Sequence, residues 1–361
     1  MPVPLFDTAT PLSPLGDELR AAVQRVLDGG RYVLGPEVAA FEREFADYLG
    51  AAHAIGVANG TDAITIALSA LGIGPGDDVV VPSFTFYASV EAIVPTGARP
   101  VFCDVDPETY CVTADTVRAA VTPATKAVIV VHLFGNVAPV AEIRALGIPV
   151  VEDAAQAAGS SGPGGRPGAL AALSTFSFFP SKNLPCFGDG GAVCTSDSEL
   201  ADRVRMLRFH GSRDKRTYEL VGFNSRLDEL QAAILRVLLP HLEGWAEARH
   251  AAGLAYQRAG LGELVALPRP TPGARPAWHL YVVRHPRADE LAAGLEAQGI
   301  GASSYYRRPV HLQPAMSGVG LAEAPLEGTE EAARTHLAIP MGAALDGTAV
   351  DAVVAAVRAA V

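Results

Sequence analysis

Short runs rich in valine and isoleucine alternate with amphipathic segments through the first two thirds of the chain. "DDVVVPS" from Asp77, "KAVIVVHLFG" from Lys126 and "IPVVEDAAQA" from Ile148 are apolar at successive positions and bounded by turn-forming residues. That pattern predicts short strands buried on both faces. Between such runs, "TDAITIALSALGIG" carries apolar residues at helical spacing and stops at glycine, which predicts a helix. The alternation predicts an α/β fold with a mostly parallel central sheet covered by helices. One continuous helical pattern, "SRLDELQAAILRVLLPHLEGWAEARHAAGLAYQRA" from Ser225, then leads into a mixed tail in which "AWHLYVVRH" reads as a strand. The domain boundary is expected in that stretch, giving a large domain over residues 1–240, N-terminal segment included, and a smaller C-terminal α+β domain over residues 241–361. The chain shows neither helical repeats nor low-complexity tracts.

Composition narrows the classes of function. With 361 residues, 49% of them hydrophobic, the chain can bury a large core. Its formal net charge of -11 provides no overall basic field, so neither nucleic acid nor an anionic membrane is an expected partner. The four cysteines, Cys103, Cys111, Cys186 and Cys194, include no CxxC pair and are expected to be reduced core thiols, with no metal bound. "MPVPLFDTAT" lacks the pattern of a secretory signal, and no run reaches about 18 apolar residues. A cytoplasmic protein is the expectation.

The candidate chemistry begins with a scarcity. Of 28 basic residues only three are lysines, Lys126, Lys182 and Lys215, so positive charge is written almost entirely as arginine. Arginine cannot give up its proton near neutral pH and cannot act as an amine nucleophile. Lys182 lies in "FSFFPSKNLPCFGDGGAV", between an aromatic-rich strand and a glycine-rich loop. In open parallel sheets ligands gather beyond the carboxyl ends of the strands, which directs attention to the residues just after each apolar run. Asn59, Gly60 and Thr61 open a helix, either as a plain N-cap or as a phosphate site made of free N–H groups. Asp153 ends a buried strand with Gln156 three residues on; it is either a helix cap or a carboxylate with a partner to hold. Ser177, five residues before Lys182, adds a hydroxyl. A lysine amine, an acid for a pyridine nitrogen and a neutral phosphate cup are the parts that pyridoxal phosphate (PLP) requires.

The order of motifs extends this reading over nearly the whole chain: "YVLGPEVAAFEREFADYLG", "ANGTDAI", "GIGPGDDVVVPSFTF", "GARPVFCDVDPETY", "VVEDAAQAAGS", "FSFFPSKNL", "GDGGAV", "RFHGS", "FNSRLDELQAAIL", "WHLYVVR" and "HLQPAM". In these the sequence resembles the DegT/DnrJ/StrS family of PLP-dependent sugar aminotransferases, which have the fold type I architecture. The resemblance implies that Lys182 is the Schiff-base lysine and Asp153 the partner of the pyridine nitrogen. It implies phosphate contacts from Gly60, Thr61 and Ser177, a stacking role for Phe86, and Gln156 beside the cofactor's hydroxyl. Asn224 is implied as a phosphate ligand supplied by the partner subunit of a homodimer, with Arg226 beside it, and Tyr306 and His311 as residues facing the sugar.

Three positions depart from the family pattern. Pro185 and Cys186 stand where the family has glycine and a small residue, "YYRRPVH" adds Arg307 and Arg308 near the substrate entrance, and Gly342 stands where relatives often carry histidine. The implied reaction moves an amino group from an amino acid, L-glutamate in much of the family, to a keto group of a dTDP- or UDP-linked sugar, with "ANGTDA" and "NSRLDELQAAIL" leaning to 3-keto over 4-keto substrates. A cyclitol ketone of the scyllo-inosose type is the rival substrate, and a PLP-binding regulator without turnover the rival class. The sugar dehydratases among the relatives are argued against by Lys182 and by the cysteine spacing.

Overall fold

The valine run Val79–Val81 is wholly buried, and so are the apolar runs around Ile129 and Val151. Strands with no solvent-facing side must lie inside a layered structure, and they do. The computed structural model describes residues 2–361. Its nine strands are β1 (His53–Val57), β2 (Asp78–Pro82), β3 (Arg99–Cys103), β4 (Thr125–Val131), β5 (Val150–Asp153), β6 (Leu173–Ser177), β7 (Gly191–Thr195), β8 (Tyr281–Arg284) and β9 (His336–Ile339). The first seven form one sheet in the order β1-β7-β6-β5-β4-β2-β3. Only β7 runs against its neighbours, β1 and β6. The carboxyl ends of β1, β2, β4, β5 and β6 therefore share one edge of the sheet, and the start of β7 joins them there. Register makes this concrete, since Gly191 is paired with both Val57 and Ser177.

Helix Gly60–Ala70 leaves from this edge immediately after β1. Asn59 caps it, its Oδ1 accepting from the Asp62 N–H at 2.8 Å. The helix is buried on nearly all sides, with Ala63, Ile64, Ile66, Ala67 and Leu68 all out of reach of water.

Side chains alternate along β5, so its two adjacent carboxylates point to opposite sides. Asp153 faces the cleft at the strand ends. Glu152 faces the interior, where Oε1 accepts from the N–H groups of Leu170 (3.0 Å) and Ala171 (2.9 Å) and from Ser174 Oγ (2.6 Å). Its Oε2 accepts from His132 Nε2 at 2.8 Å. His132 Nδ1 accepts the Ala138 N–H at 3.0 Å, so the ring proton sits on Nε2. This network fixes the end of β5 and with it the direction of Asp153.

The helical pattern from Ser225 is not continuous. Helix Glu229–Leu238 ends in a 3-10 turn, Leu239–His241, and a second helix runs Leu242–Arg258. Pro240 supplies no N–H to the helical ladder, which accounts for the interruption. Beyond it, β8 pairs antiparallel with β9, and a separate apolar cluster forms around Tyr256, Val283, Leu291, Leu337 and Val353. Val3 belongs to this cluster: its N–H donates to Gly299 O at 3.0 Å and its carbonyl accepts from Gly301 at 2.8 Å. The start of the chain thus packs against the C-terminal part.

Candidate active site

The shared strand edge opens into a cleft of about 490 Å³. Each wall comes from a different element. Asn59, Gly60 and Thr61 contribute the head of the first sheet helix; Thr85, Phe86 and Ser89 the turn after β2; Asp153, Ala155 and Gln156 the end of β5; Ser177 and Lys182 the end of β6 and the loop that follows. His279, Tyr305 and Tyr306 close it from the C-terminal part, and Phe6 from the N-terminal segment.

Lys182 is half-buried here, whereas Lys126 and Lys215 are exposed. Burial lowers the proton affinity of its amine from the ordinary 10.5 to about 8, an effect that the nearby Asp153 charge partly opposes. Asp153 is buried, with Oδ1 accepting from the Ala155 N–H at 3.1 Å and Oδ2 from Ser89 Oγ at 2.6 Å. Gln156 bridges the two parts of the chain: its Oε1 accepts from the Phe134 N–H at 2.6 Å and its Nε2 donates to the Tyr306 hydroxyl at 3.2 Å. Tyr306 stacks on Phe134 with ring centroids 5.9 Å apart. Phe86 presents an apolar face to the cleft, 57% exposed.

Two glycines let the cradle close. A Cβ on Gly60 would stand 2.7 Å from Ser177 Cβ, and one on Gly191 would stand 2.4 Å from Asn59 O. Their absence brings the helix head, the end of β6 and the start of β7 into contact. The first N–H groups of a helix have no intrahelical partner, and here they belong to Gly60 and Thr61, beside the Ser177 hydroxyl.

Five candidate residues lie elsewhere. Asn224 is exposed, outside the cleft of its own chain, and its Oδ1 accepts from Arg226. His311 is tied to the turn after β2, Nδ1 lying 2.6 Å from Ser83 Oγ, and burial lowers its pKa. Arg307 and Arg308, which follow the cleft-lining Tyr305 and Tyr306, bond within their own chain. Arg307 donates to the carbonyls of Ala333 and Arg334 and to Asp289, because the last carbonyls of helix Glu327–Thr335 attract a cation. Arg308 Nε donates to Leu312 O at 2.6 Å.

Sequence reasoning missed Ser89, Thr85 and His279. Ser89 and Thr85 sit in "SFTFYAS", where only the aromatic residue drew attention, although the rule about strand ends covers the hydroxyls too. His279 is buried in the cleft wall with Nδ1 unpartnered; burial, then the Lys182 and Arg249 charges, hold its pKa far down, so the ring is neutral.

Known proteins resemble this chain in sequence and in fold. The model of the DegT/DnrJ/EryC1/StrS aminotransferase family matches residues 14–358. The chain belongs to that family. It is 48% identical to the dTDP-3-amino-3,4,6-trideoxy-alpha-D-glucose transaminase of Streptomyces venezuelae, over 99% of this chain and 95% of the other. It is 44% identical to a protein of Geobacillus stearothermophilus named a pleiotropic regulatory protein, over 94% of each. The solved structure of S. venezuelae DesV in complex with a ketimine intermediate superposes with a TM-score of 0.95 at 46% identity, covering 99% of this chain and 98% of that one. The protein is a PLP-dependent aminotransferase of fold type I.

The residues present fit PLP. A phosphate suits the uncharged cradle of Gly60, Thr61 and Ser177, a flat ring suits Phe86, and the only lysine in the cleft is Lys182. With Lys182 as the capturing amine, its lowered proton affinity would set the pH of cofactor capture. PLP uptake by the apoprotein, followed by its visible absorbance, is expected to quicken with rising pH and level off above about 8. The unfolded chain keeps this proton up to about 10.5 while the folded chain releases it near 8, so apoprotein stability should rise between those values and Lys182→Met should remove the rise. An uptake midpoint near the ordinary lysine value would contradict the burial argument.

Proposed function

We propose that this aminotransferase moves the amino group of an amino acid, L-glutamate, onto the 3-keto carbon of a dTDP- or UDP-linked sugar in amino-sugar biosynthesis. The observation that carries the reading is the match over almost the full length to a transaminase whose name specifies a dTDP-3-amino sugar, joined to a cleft whose catalytic pair is a proton-poor lysine and a buried carboxylate.

Bound PLP supplies a cationic ring that takes up the electron pair released when the donor's α-proton leaves. The chain's own residues do the rest. Asp153 holds the proton of the ring nitrogen. Lys182 would hold the cofactor and, with its amine free, would carry the α-proton between carbon atoms, a task for which a pKa near 8 suits it. Gln156 orients the Tyr306 hydroxyl toward the cleft, and Phe86 covers the ring face. Gly60, Thr61 and Ser177 hold the phosphate with neutral donors.

The cradle is completed by Asn224 of the partner subunit in a homodimer. Support comes from its exposure outside its own cleft, just ahead of helix Glu229–Leu238, and from the apolar side chains Phe179 and Phe187 left 51% and 50% exposed near the cofactor loop. Arg226, paired with Asn224, travels with it toward the sugar. His311, held against Ser83 in its own chain, belongs to the same proposed sugar-facing set.

Two experiments test this reading. A panel of 3-keto and 4-keto nucleotide sugars and a keto-cyclitol, offered to the glutamate-reduced enzyme, should show consumption of the pyridoxamine form by the 3-keto sugars first. Preference for the cyclitol would transfer the enzyme to the rival substrate class. For the shared site, Lys182→Ala and Asn224→Ala dimers should each be impaired, and after subunit exchange the mixture should regain activity well above the summed parents. Confirmed exchange with no recovery would mean that Asn224 serves its own chain.

A further inference from the structure

One bond in the cleft links two parts of the chain that neither propensity nor local turn chemistry would join. Ser89, on the short helix Ala88–Glu91 after β2, donates to Asp153 Oδ2 at 2.6 Å across 64 positions of sequence. Its oxygen lies 3.0 Å from Thr85 Oγ1. A hydroxyl has one proton to give. Ser89 gives its proton to the carboxylate, so Thr85 is the donor in the second bond, and the chain of hydroxyls runs from Thr85 through Ser89 to Asp153. Both are shielded from water, at 2% and 1% exposure.

A structural explanation for Ser89 would have its hydroxyl return to the carbonyl four residues back, as Ser69 does with Thr65 O at 2.8 Å. Ser89 reaches instead for the carboxylate that the cleft presents to the cofactor. Asp153 Oδ1 is held by the Ala155 N–H, so the two donors together fix the rotation of the carboxyl group. The titratable groups facing it from other elements are Lys182, from the loop after β6, and Tyr306, from the C-terminal part. Neither of them forms a hydrogen bond with it.

We infer that Ser89, backed by Thr85, is a positioning residue that holds the Asp153 carboxylate turned toward the ring nitrogen of the cofactor. The inference rests on the role assigned to Asp153 above. A donor to a charged carboxylate favours the charged form, so the shared proton stays on the ring nitrogen, where it makes the ring an electron acceptor. A carboxylate deprived of that donor competes for the proton and is free to rotate.

The test uses the PLP-loaded enzyme and two readouts: the pH midpoint of the cofactor's visible absorbance change, which reports the basicity of its link to Lys182, and the single-turnover rate with glutamate. Ser89→Ala should move the midpoint upward, in the same direction as Asp153→Asn, and slow the turnover about ten-fold. Ser89→Thr, which keeps the hydroxyl, should restore both readouts, and Thr85→Val should shift the midpoint the same way by less. A midpoint in Ser89→Ala that superposes on the parent, or a Ser89→Thr variant as impaired as Ser89→Ala, would overturn the inference. Should Ser89→Ala not fold, an unshifted midpoint in Thr85→Val does the same. If Asp153→Asn itself leaves the midpoint and rate unchanged, the fault lies with the role of Asp153 and not with Ser89 alone.

Discussion

Low dielectric acts on the two charged groups of the cleft in different ways, and the site depends on that difference. An amine among apolar walls is easier to deprotonate than in water, which brings Lys182 to about 8. A carboxylate in the same surroundings is costly unless donors surround it. Asp153 has two, the Ser89 hydroxyl and the Ala155 N–H. The fold supplies both conditions by bringing strand ends together: β5 carries the acid, the loop after β6 the amine, and the turn after β2 the hydroxyls. No local segment could create the pair by itself.

Glycines and one antiparallel strand make the remaining geometry possible. Because β7 runs against β1 and β6, Gly191 starts where Val57 and Ser177 end. The cradle proposed for the phosphate is therefore a consequence of register. A side chain at Gly60 or Gly191 would push the helix head away from the strand ends, and with it the free N–H groups that would hold a phosphate. The neighbouring Glu152, turned the other way by strand alternation, spends its charge on five interior donors and anchors the strand that Asp153 ends.

What the sequence revealed depended on the type of signal. The strands around Val80, Ile129 and Val151 were legible because full burial leaves an unbroken apolar run, and Lys182 stood out because lysine is rare in this chain. Gly60, Thr61, Asp153, Gln156 and Ser177 were found through the rule about strand ends, and all line one cleft. Pairwise contacts were not legible. Ser89 reaches Asp153 through strand order, and the hydrogen bonds that turn Arg307 toward Ala333 and Arg334 come from packing of the C-terminal part. Arg307 and Arg308 were noticed as a departure from the family pattern; the helix carbonyls that Arg307 bonds have no signature in the local sequence. The break at Pro240 was legible in principle, since proline interrupts a helical ladder wherever it falls, but the apolar periodicity on either side masked it.

Covalent capture of the cofactor by one particular lysine is the claim on which the rest stands. Borohydride reduction of the PLP-loaded enzyme, followed by digestion and mass mapping, tests it directly. A single reduced adduct on Lys182, from a protein that was yellow before treatment, is the predicted result. An adduct on Lys126 or Lys215, or a protein that stays colourless with added PLP and yields no adduct, would contradict the account.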